Sequence, residues 1–237
     1  TGAASGIGAA TARRFLREGW NVVINHLEGQ QTEAQAVAAG ATAPGQRALC
    51  VAADVTQDAD CVRMLAATGE AFGALHALVN AAGPHVIEVE GLIGDAPDYA
   101  MRLVRGSHIV VPGKLEQGCV LQVPGEKRIL FVLPHGENTL LGTTEVSQAD
   151  PDRCAPSDEE IDYLIANYNR CFFEVIARRD IISMFAGIRP IVASKTDFSA
   201  ASRESVIERQ GRLINVFGGK WTTSRALAEA VVTKSQH

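Results

Sequence analysis

The sequence is poor in aromatic residues and has no surplus of basic charge. Phenylalanine, tyrosine and tryptophan make up 5% of the 237 residues, and the formal net charge at pH 7 is -5. Nucleic-acid binding relies on clustered lysine and arginine for the phosphates and on aromatic rings that stack on bases. The composition therefore argues against a nucleic-acid partner.

Metal-site and disulfide spacings are also lacking. The five cysteines are scattered without a C-x-x-C pair, and no metal-ligand spacing relates His26, His76, His135 and His237. No apolar run approaches the ~18 residues that span a bilayer, and no charged leader precedes an apolar segment at the amino terminus. We therefore expect no bound metal and a cytoplasmic location.

The first 83 residues alternate between helix and strand patterns. They open on TGAASGIG, in which Gly2, Gly6 and Gly8 precede a helical run ending near Gly19. Glycines let the backbone approach a pyrophosphate closely, and a helix amino terminus offers N–H groups and a positive dipole end. The alternative is a strand-to-helix turn without a ligand. The alternation predicts a parallel α/β sheet.

Three motifs in order make residues 1–83 resemble the coenzyme half of a short-chain dehydrogenase/reductase. They are T-G-x-x-x-G-x-G, D-V beginning at Asp54, and N-A-A-G from Asn80 to Gly83. The resemblance implies that the glycine turn holds the pyrophosphate, that Asp54 lines the adenine, and that Asn80 and Gly83 border the coenzyme cleft. The second strand ends without an acid for the ribose hydroxyls, which favours NADP over NAD.

Two features of that family are not found in the sequence. The strand that normally precedes the glycine turn, in the middle of the sheet, is missing, so we predict an incomplete Rossmann-like sheet. The catalytic Tyr-x-x-x-Lys is also missing, because the residues four positions after the three tyrosines are Leu103, Asn167 and Phe172. An NADP-dependent short-chain reductase would therefore lack its catalytic pair.

From about residue 99 onward the pattern becomes mainly antiparallel. CVLQV and RILFVLP flank a Pro-Gly turn, and SVIERQ and RLINVF flank a Gln-Gly turn, so both pairs predict hairpins. Ser157 and Glu160 form a capping box that starts a helix, and we expect the acidic run there to be a solvated first turn. We predict two domains, residues 1–83 and residues 84–237.

Six motifs in order make residues 77–237 resemble the FAD-dependent glycerol-3-phosphate dehydrogenases. They are ALVNAAGP, RLVRGSHIVVP, LLGTTEV, SDEEIDYL, AGIRP and VFGGKWTTSRALAE. ALVNAAG fits both resemblances. We therefore interpret the chain as a front segment of one family joined, within that motif, to a rear segment of the other. The resemblance implies that a mixed, mainly antiparallel substrate domain of the FAD-dependent oxidoreductase type follows the incomplete Rossmann-like sheet.

The same resemblance implies oxidation of glycerol 3-phosphate to dihydroxyacetone phosphate, with FAD as the cofactor and a quinone as the electron acceptor. It also implies peripheral contact with the cytoplasmic face of a membrane. Two alternatives stay open, the NADP-dependent short-chain reductase and an inactive fusion remnant. Whether copies of the chain form a homo-oligomer is likewise open.

Three residues are catalytic candidates by this resemblance. Arg189, in AGIRP, suits bidentate contact with a phosphate, or else forms an ion pair with a carboxylate. Lys220 would place a positive charge near the pyrimidine edge of the flavin. His108, in RGSHIVV, suits acceptance of the C2 hydroxyl proton, or else is a structural histidine. Arg105 is a further candidate for the phosphate, with a solvated basic residue as the alternative.

The remaining cofactor candidates lie in VFGGKWTT. Gly218 and Gly219 precede a helix predicted to begin near Thr222, and its N–H groups would point at the flavin. The alternative is a glycine bend that only caps a helix, with Thr222 as one of the capping residues.

Overall fold

The computed structural model describes residues 1–86, 99–126, 128–194, 197–202 and 205–236. They form two compact units, one of residues 1–101 and 190–237 and the other of residues 102–189. The boundary after Gly83 stays a prediction. In the structure, residues 190–237 belong to the same compact unit as the front of the chain.

The helices and strands follow the predicted order. The helices are α1 (Gly6–Arg17), α2 (Gln31–Ala38), α3 (Asp58–Phe72), α4 (Asp158–Asn169) and α5 (Ser224–Gln236). The strands are β1 (Val22–His26), β2 (Ala48–Ala52), β3 (Leu78–Asn80), β4 (Tyr99–Pro112), β5 (Cys119–Gln122), β6 (Ile129–His135), β7 (Asn138–Gly142), β8 (Val146–Gln148), β9 (Ser183–Ser194), β10 (Asp197–Ser202), β11 (Val206–Gln210) and β12 (Leu213–Phe217).

The first unit contains a parallel sheet in two pieces. Strands β1 and β2 pair in parallel. Strand β3 pairs in parallel with β12, and β11 adds to β12 as an antiparallel hairpin. In the described part of the chain the two pieces are separate sheets. The prediction of an incomplete, Rossmann-like parallel sheet is confirmed.

Small side chains allow helix α1 to lie close to this sheet. Ala9 and Ala12 of α1 are buried together with Ile24 of β1 and Val37 of α2, and Ile24 and Val37 have no exposed surface. Full burial of one such aliphatic side chain contributes about 1.5–3 kcal/mol relative to exposure. The packing fixes the amino end of α1 against the carboxyl end of β1.

The second unit is an antiparallel sheet covered by helix α4. Its strand order is β9-β4-β7-β6-β5, with β8 paired to β4. Alternate residues of the strands point to one side, so Ile109 and Val111 of β4 lie in the same core as Leu141 of β7. Helix α4 presents Leu164 and Tyr168, four residues apart, to that core. The predicted antiparallel pattern is confirmed.

The start of α4 confirms the predicted capping box but not the predicted solvation. Ser157 accepts a hydrogen bond from Glu160 N–H, and Glu160 accepts one from Ser157 N–H. The Glu160 residue is only 3% exposed, however, and its carboxylate accepts hydrogen bonds from the hydroxyls of Ser107 and Thr144. The expectation of a solvated first turn was wrong for Glu160, because Ser107 of β4 and Thr144 of the loop after β7 supply partners for its carboxylate.

Within the described ranges, no helix combines the length and the apolar character that crossing a membrane requires.

Candidate functional site

In the glycine turn before α1, backbone atoms of the turn pack directly against one another and against the backbone after β3. A Cβ atom on Gly8 would lie 2.2 Å from the carbonyl oxygen of Gly2. Gly2 itself has a φ of +57°, and a Cβ there would lie 2.6 Å from Ala81 O. No side chain fits at either position, so these glycines hold the amino end of α1 against the carboxyl end of β3.

The glycine turn after β12 meets the turn before α1 in the same unit. Gly218 and Gly219 have φ values of +67° and +97°. A Cβ on Gly219 would lie 2.8 Å from the Cδ1 atom of Ile7, and a Cβ on Gly6 would lie 3.8 Å from the Trp221 ring. The structure therefore brings together two glycine turns that the sequence linked to two different families.

Exposed side chains follow the second turn. Lys220 and Thr222 are exposed, and the Trp221 residue is 74% exposed. A short 3-10 turn covers Trp221–Thr223, so helix α5 begins at Ser224 rather than near Thr222. Because it lies inside the 3-10 turn, Thr222 does not cap α5, and the capping interpretation of this residue was wrong.

The two turns fit the pyrophosphate of a dinucleotide cofactor such as FAD. Gly2 and Gly8 are packed so closely against neighbouring backbone that no side chain fits there. Only backbone is therefore present at these two positions. The side chain of Ser5, the N-cap residue of α1, makes no capping hydrogen bond, and no acidic residue lies in the first turn of the helix. The first turn therefore combines a positive dipole end with N–H groups that no side chain caps.

The Asn80 side chain lies in the interior of the first unit. It is fully buried, and its Nδ2 atom donates to Val86 O and to Asn215 Oδ1, both at 3.0 Å. Its Oδ1 atom accepts from the hydroxyl of Thr1 at 3.2 Å. The Asn80 side chain thus ties β3 to β12 and to the first residue, and it does not line a cleft as the resemblance implied.

Asp54, predicted to line the adenine, and Gly83, predicted to border the coenzyme cleft, lie in loops after β2 and β3. The Asp54 carboxylate accepts hydrogen bonds from the N–H and the hydroxyl of Thr56, which closes the loop after β2. Gly83 has a φ of +63° and begins a 3-10 turn that ends at His85, and a Cβ on it would have open space around it. Both residues follow carboxyl ends of parallel strands, where α/β sheets bind their ligands.

The second unit brings His108 and Arg189 into one cluster. Arg189 Nη2 donates to Thr143 Oγ1 at 2.8 Å, and Nη1 lies 3.7 Å from the Glu145 carboxylate. The Arg189 side chain remains 39% exposed. The His108 ring stacks on Phe185, with 4.9 Å between centroids and 6° between planes. The ion-pair alternative for Arg189 is present at a long distance, yet the guanidinium still faces solvent.

Glycines on two neighbouring strands make room for this cluster. Gly142 lies opposite His108 in the pairing of β4 with β7, and a Cβ on it would lie 2.2 Å from the imidazole ring. A Cβ on Gly106 would lie 2.6 Å from Arg189 Nη2. Thr143 was not among the predicted site residues, although the motif LLGTTEV contains it beside Gly142.

The surroundings of His108 lower its pKa. Burial lowers the pKa of His108 below its ordinary value, and the nearby charge of Arg189 lowers it further. The Nδ1 atom is buried and has no hydrogen-bond partner among the residues that the structure describes. A neutral imidazole beside an exposed guanidinium can accept a proton from a ligand that the guanidinium holds.

Arg105 belongs to a different cluster. Its Nη2 atom contacts the buried carboxylate of Glu160 at 2.7 Å, and its Nη1 atom donates to Gln148 at 3.1 Å. The Arg105 side chain is only 14% exposed, so the interpretation of Arg105 as a solvated residue was wrong, while its role as a phosphate ligand stays a prediction. The partner was not identified from the sequence, because Glu160 lies 55 positions away and belongs to a helix start.

Comparison with known proteins supports one of the two resemblances over most of the chain. Residues 32–233 match the family model described as FAD dependent oxidoreductase. The chain is 40% identical over 172 residues to glycerol-3-phosphate dehydrogenase of Pseudomonas aeruginosa, covering 68% of this chain and 33% of that protein. It is 38% identical over 170 residues to D-erythritol 1-phosphate dehydrogenase of Brucella abortus, covering 68% and 34%. The chain thus spans about a third of the length of these relatives.

One solved flavoenzyme structure agrees on the fold. The glycerol-3-phosphate dehydrogenase of Bacillus halodurans complexed with FAD matches 87% of this chain and 42% of its own, with a TM-score of 0.63 at 23% identity. A short-chain dehydrogenase/reductase from Burkholderia xenovorans matches 35% of this chain and 34% of its own, at 40% identity and a TM-score of 0.33. The predicted fold class is confirmed, and the chain belongs to the FAD-dependent oxidoreductase family.

Proposed function

We propose that this chain supplies the substrate-binding unit and part of the flavin-binding unit of a dehydrogenase that oxidises a small phosphorylated polyol, with glycerol 3-phosphate as the first candidate. The observation that carries the proposal is the cluster in which the His108 imidazole, with a lowered pKa, lies near the partly exposed Arg189 guanidinium. The two relatives above carry the names of dehydrogenases of glycerol 3-phosphate and D-erythritol 1-phosphate, which are both phosphorylated polyols.

Arg189 is proposed to bind the anionic or oxygen-rich end of the substrate. Its bond to Thr143 Oγ1 fixes one guanidinium nitrogen, and Glu145 attracts a second from 3.7 Å. These contacts orient the planar group while 39% of the side chain stays exposed. A held guanidinium loses less conformational freedom on binding than a free one does, and charge-assisted bonds to oxyanions are about twice as strong as neutral ones.

His108 is proposed to accept the proton of the alcohol that is oxidised. Its lowered pKa keeps the imidazole neutral near pH 7, and stacking on Phe185 fixes the ring plane. Binding of a phosphate dianion near Arg189 would offset the positive charge that lowers the pKa of His108. The substrate would thus make its own base stronger.

FAD is proposed to bind at the glycine turns of the first unit. Gly2, Gly6 and Gly8 would face its pyrophosphate, while the turn of Gly218 and Gly219 would place the Lys220 ammonium near the flavin. When bound, FAD would accept the hydride that leaves the alcohol carbon. Lys220 would stabilise the negative charge that gathers on the flavin during reduction.

The further partners are proposals that rest on the resemblance alone. A quinone would take the electrons from the reduced flavin, and the protein would contact the cytoplasmic face of a membrane peripherally. NADP at the turn before α1, in a short-chain reductase, is the alternative to FAD. An inactive fusion remnant would bind neither cofactor nor substrate.

Calorimetric titration of the chain with glycerol 3-phosphate tests the substrate proposal without requiring turnover. We expect saturable binding that Arg189→Met weakens by at least about tenfold, since a charge-assisted contact contributes about 1.5–3 kcal/mol. Arg153→Met, which removes an exposed arginine of the same unit, is the matched control and should leave the affinity unchanged. Equal affinity in the Arg189→Met variant, or no binding to the unaltered chain, would contradict the proposal.

A further inference from the structure

A buried carboxylate lies on the other side of the second sheet from the His108 imidazole. Glu160, at the start of α4, is only 3% exposed. Helix α4 covers the face of the sheet to which Ile109 of β4 points. Because side chains alternate along a strand, Ser107 points toward α4 and His108 points to the opposite face. Glu160 therefore meets β4 from behind the candidate substrate site.

The two oxygens of the Glu160 carboxylate have different partners. Oε2 lies 2.7 Å from Arg105 Nη2 and accepts a hydrogen bond from Ser157 N–H at 3.0 Å. These contacts form the ion pair and complete the capping box of α4. Oε1 accepts hydrogen bonds from the hydroxyls of Ser107, at 2.8 Å, and of Thr144. The bonds to Oε1 are thus needed neither for the ion pair nor for the helix cap.

Each hydroxyl that Oε1 holds belongs to the neighbour of a residue in the cluster. Ser107 precedes His108, and Thr144 follows Thr143. The Thr143 hydroxyl donates to Thr144 O at 3.2 Å and accepts from Arg189 Nη2 at 2.8 Å. A series of contacts therefore joins the buried carboxylate to the Arg189 guanidinium, and a separate bond fixes the residue before His108.

The two held residues are also bonded to each other. Ser107 N–H donates to Thr144 Oγ1 at 2.8 Å, and Thr144 N–H donates to Ser107 O at 3.4 Å. The two segments approach so closely here that a Cβ on Gly106 would lie 2.5 Å from Thr143 Oγ1. The carboxylate thus completes a ring of hydrogen bonds between β4 and the loop after β7.

We propose that Glu160 is a positioning residue for substrate binding. Its carboxylate holds the hydroxyls of Ser107 and Thr144 from behind the sheet. It thereby sets the distance between the Arg189 guanidinium and the His108 imidazole. The inference rests on the proposed function, because it takes these two groups as the ones that contact the substrate. A carboxylate suits the role, since one oxygen accepts from two hydroxyls at once and bonds to an ionised acceptor are about twice as strong as neutral ones.

The first test follows the pKa of His108 by NMR titration and requires no substrate. Thr144→Val removes the hydroxyl without changing any charge, so it acts on that pKa mainly through the positions of charged groups. We expect the pKa of His108 to rise, because the Arg189 cation that lowers it is held less closely. Thr144→Ser retains the hydroxyl and should restore the pKa of the unaltered chain.

Thr139→Val is the matched control for this titration. Thr139 is a buried threonine of β7 in the same unit, and its hydroxyl donates to Gly113 O. The variant therefore loses a buried hydrogen bond that does not lead to the cluster, and the pKa of His108 should stay unchanged. The same rise of that pKa in Thr139→Val and in Thr144→Val would reflect general loosening of the unit and would overturn the inference.

The second test measures the affinity for glycerol 3-phosphate by calorimetric titration in a double-mutant cycle. Glu160→Gln and Thr144→Val should each weaken binding by about fivefold, the scale of one lost hydrogen bond. Loss of a negative charge by itself favours a phosphate ligand, so weaker binding of Glu160→Gln reports displacement of the guanidinium. In the Arg189→Met chain the same two substitutions should change the affinity by less than about twofold, since no guanidinium is left to position.

The outcomes of the two tests separate this inference from the proposed function. An unchanged pKa of His108 in Thr144→Val, or equal losses of affinity with and without Arg189, would overturn the positioning role. If Glu160→Gln does not fold, Thr144→Val alone completes the cycle. If the unaltered chain does not bind glycerol 3-phosphate, the proposed function fails. The NMR titration then decides by itself whether the carboxylate sets the geometry of the cluster.

Discussion

The Arg189 guanidinium lies close enough to the His108 imidazole for its positive charge to add to burial in lowering the pKa of the histidine. Phe185 holds the imidazole ring from one face, and Thr143 holds the guanidinium. The second unit thus holds the Arg189 cation near an imidazole whose pKa that cation lowers. The first prediction concerns this coupling.

Replacing Arg189 by methionine should raise the pKa of His108, because the variant removes a neighbouring positive charge and leaves burial in place. The pKa can be followed by NMR titration of the imidazole resonances. Inorganic phosphate should raise the same pKa in the unaltered chain by offsetting the charge of Arg189. If the pKa of His108 responds to neither change, the charge of Arg189 does not act on the imidazole. Arg153→Met serves as the control for general charge effects.

The free energy of unfolding should decrease at acidic pH, and protonation of His108 should contribute to the decrease. The folded-state pKa of His108 lies below its ordinary value of 6.5, so the unfolded chain binds the proton first. Stability from the neutral imidazole is therefore full above about pH 6.5 and is lost as the pH falls through the folded-state pKa. Urea unfolding at pH 8 and pH 5 should show a smaller decrease for His108→Gln than for the unaltered chain. The exposed His76→Gln variant should retain the full decrease.

Glu160→Gln should destabilise the chain by about 2–4 kcal/mol, because it leaves the Arg105 cation without its buried partner. Burial raises the pKa of Glu160, but hydrogen bonds from Thr144, Ser157, Ser107 and Arg105 outweigh it and lower the pKa overall. The stabilisation is thus present above about pH 4.5 and is lost as the pH falls below that.

Glu159→Gln is the matched control for that measurement, since Glu159 is exposed in the same helical turn. Chemical unfolding at pH 7 should show little change for this variant. Equal effects of the two substitutions would mean that the Glu160 network contributes nothing specific.

Two helical glycines should respond in opposite ways to alanine. Gly8→Ala should destabilise the chain by about 1–3 kcal/mol, because its Cβ would meet Gly2 O at 2.2 Å. Gly69→Ala should stabilise it by about 0.5–1 kcal/mol, because a Cβ there meets nothing within 4 Å in the interior of α3. Thermal unfolding of both variants checks the pair. An unchanged melting temperature in the Gly8→Ala variant would contradict the close packing of the glycine turn.

Local patterns were predictable from the sequence, and distant partners were not. The capping box of Ser157 and Glu160 spans four residues and follows from helix chemistry alone. The contact of Asn80 with Asn215 joins residues 135 positions apart, and it depends on the parallel pairing of β3 with β12. The bond between Arg189 and Thr143 likewise depends on the arrangement of the second sheet. No local pattern encodes such pairings.

The meeting of the two glycine turns illustrates the same limit. Each turn was recognised from its own spacing, through a different family resemblance. That a Cβ on Gly219 would touch Ile7 could not be read from either motif, since it depends on how α5 packs beside α1. The structure therefore converts two separate cofactor predictions into one candidate site.

Titration of the purified chain with FAD tests that site most directly. Saturable quenching of flavin fluorescence at one FAD per chain is expected, with weakening by about tenfold in Lys220→Met through loss of a charged contact. Lys114→Met, at an exposed lysine of the other unit, should leave the affinity unchanged. FAD that elutes entirely free of the chain on gel filtration, with fluorescence unquenched at every protein concentration, would contradict the account.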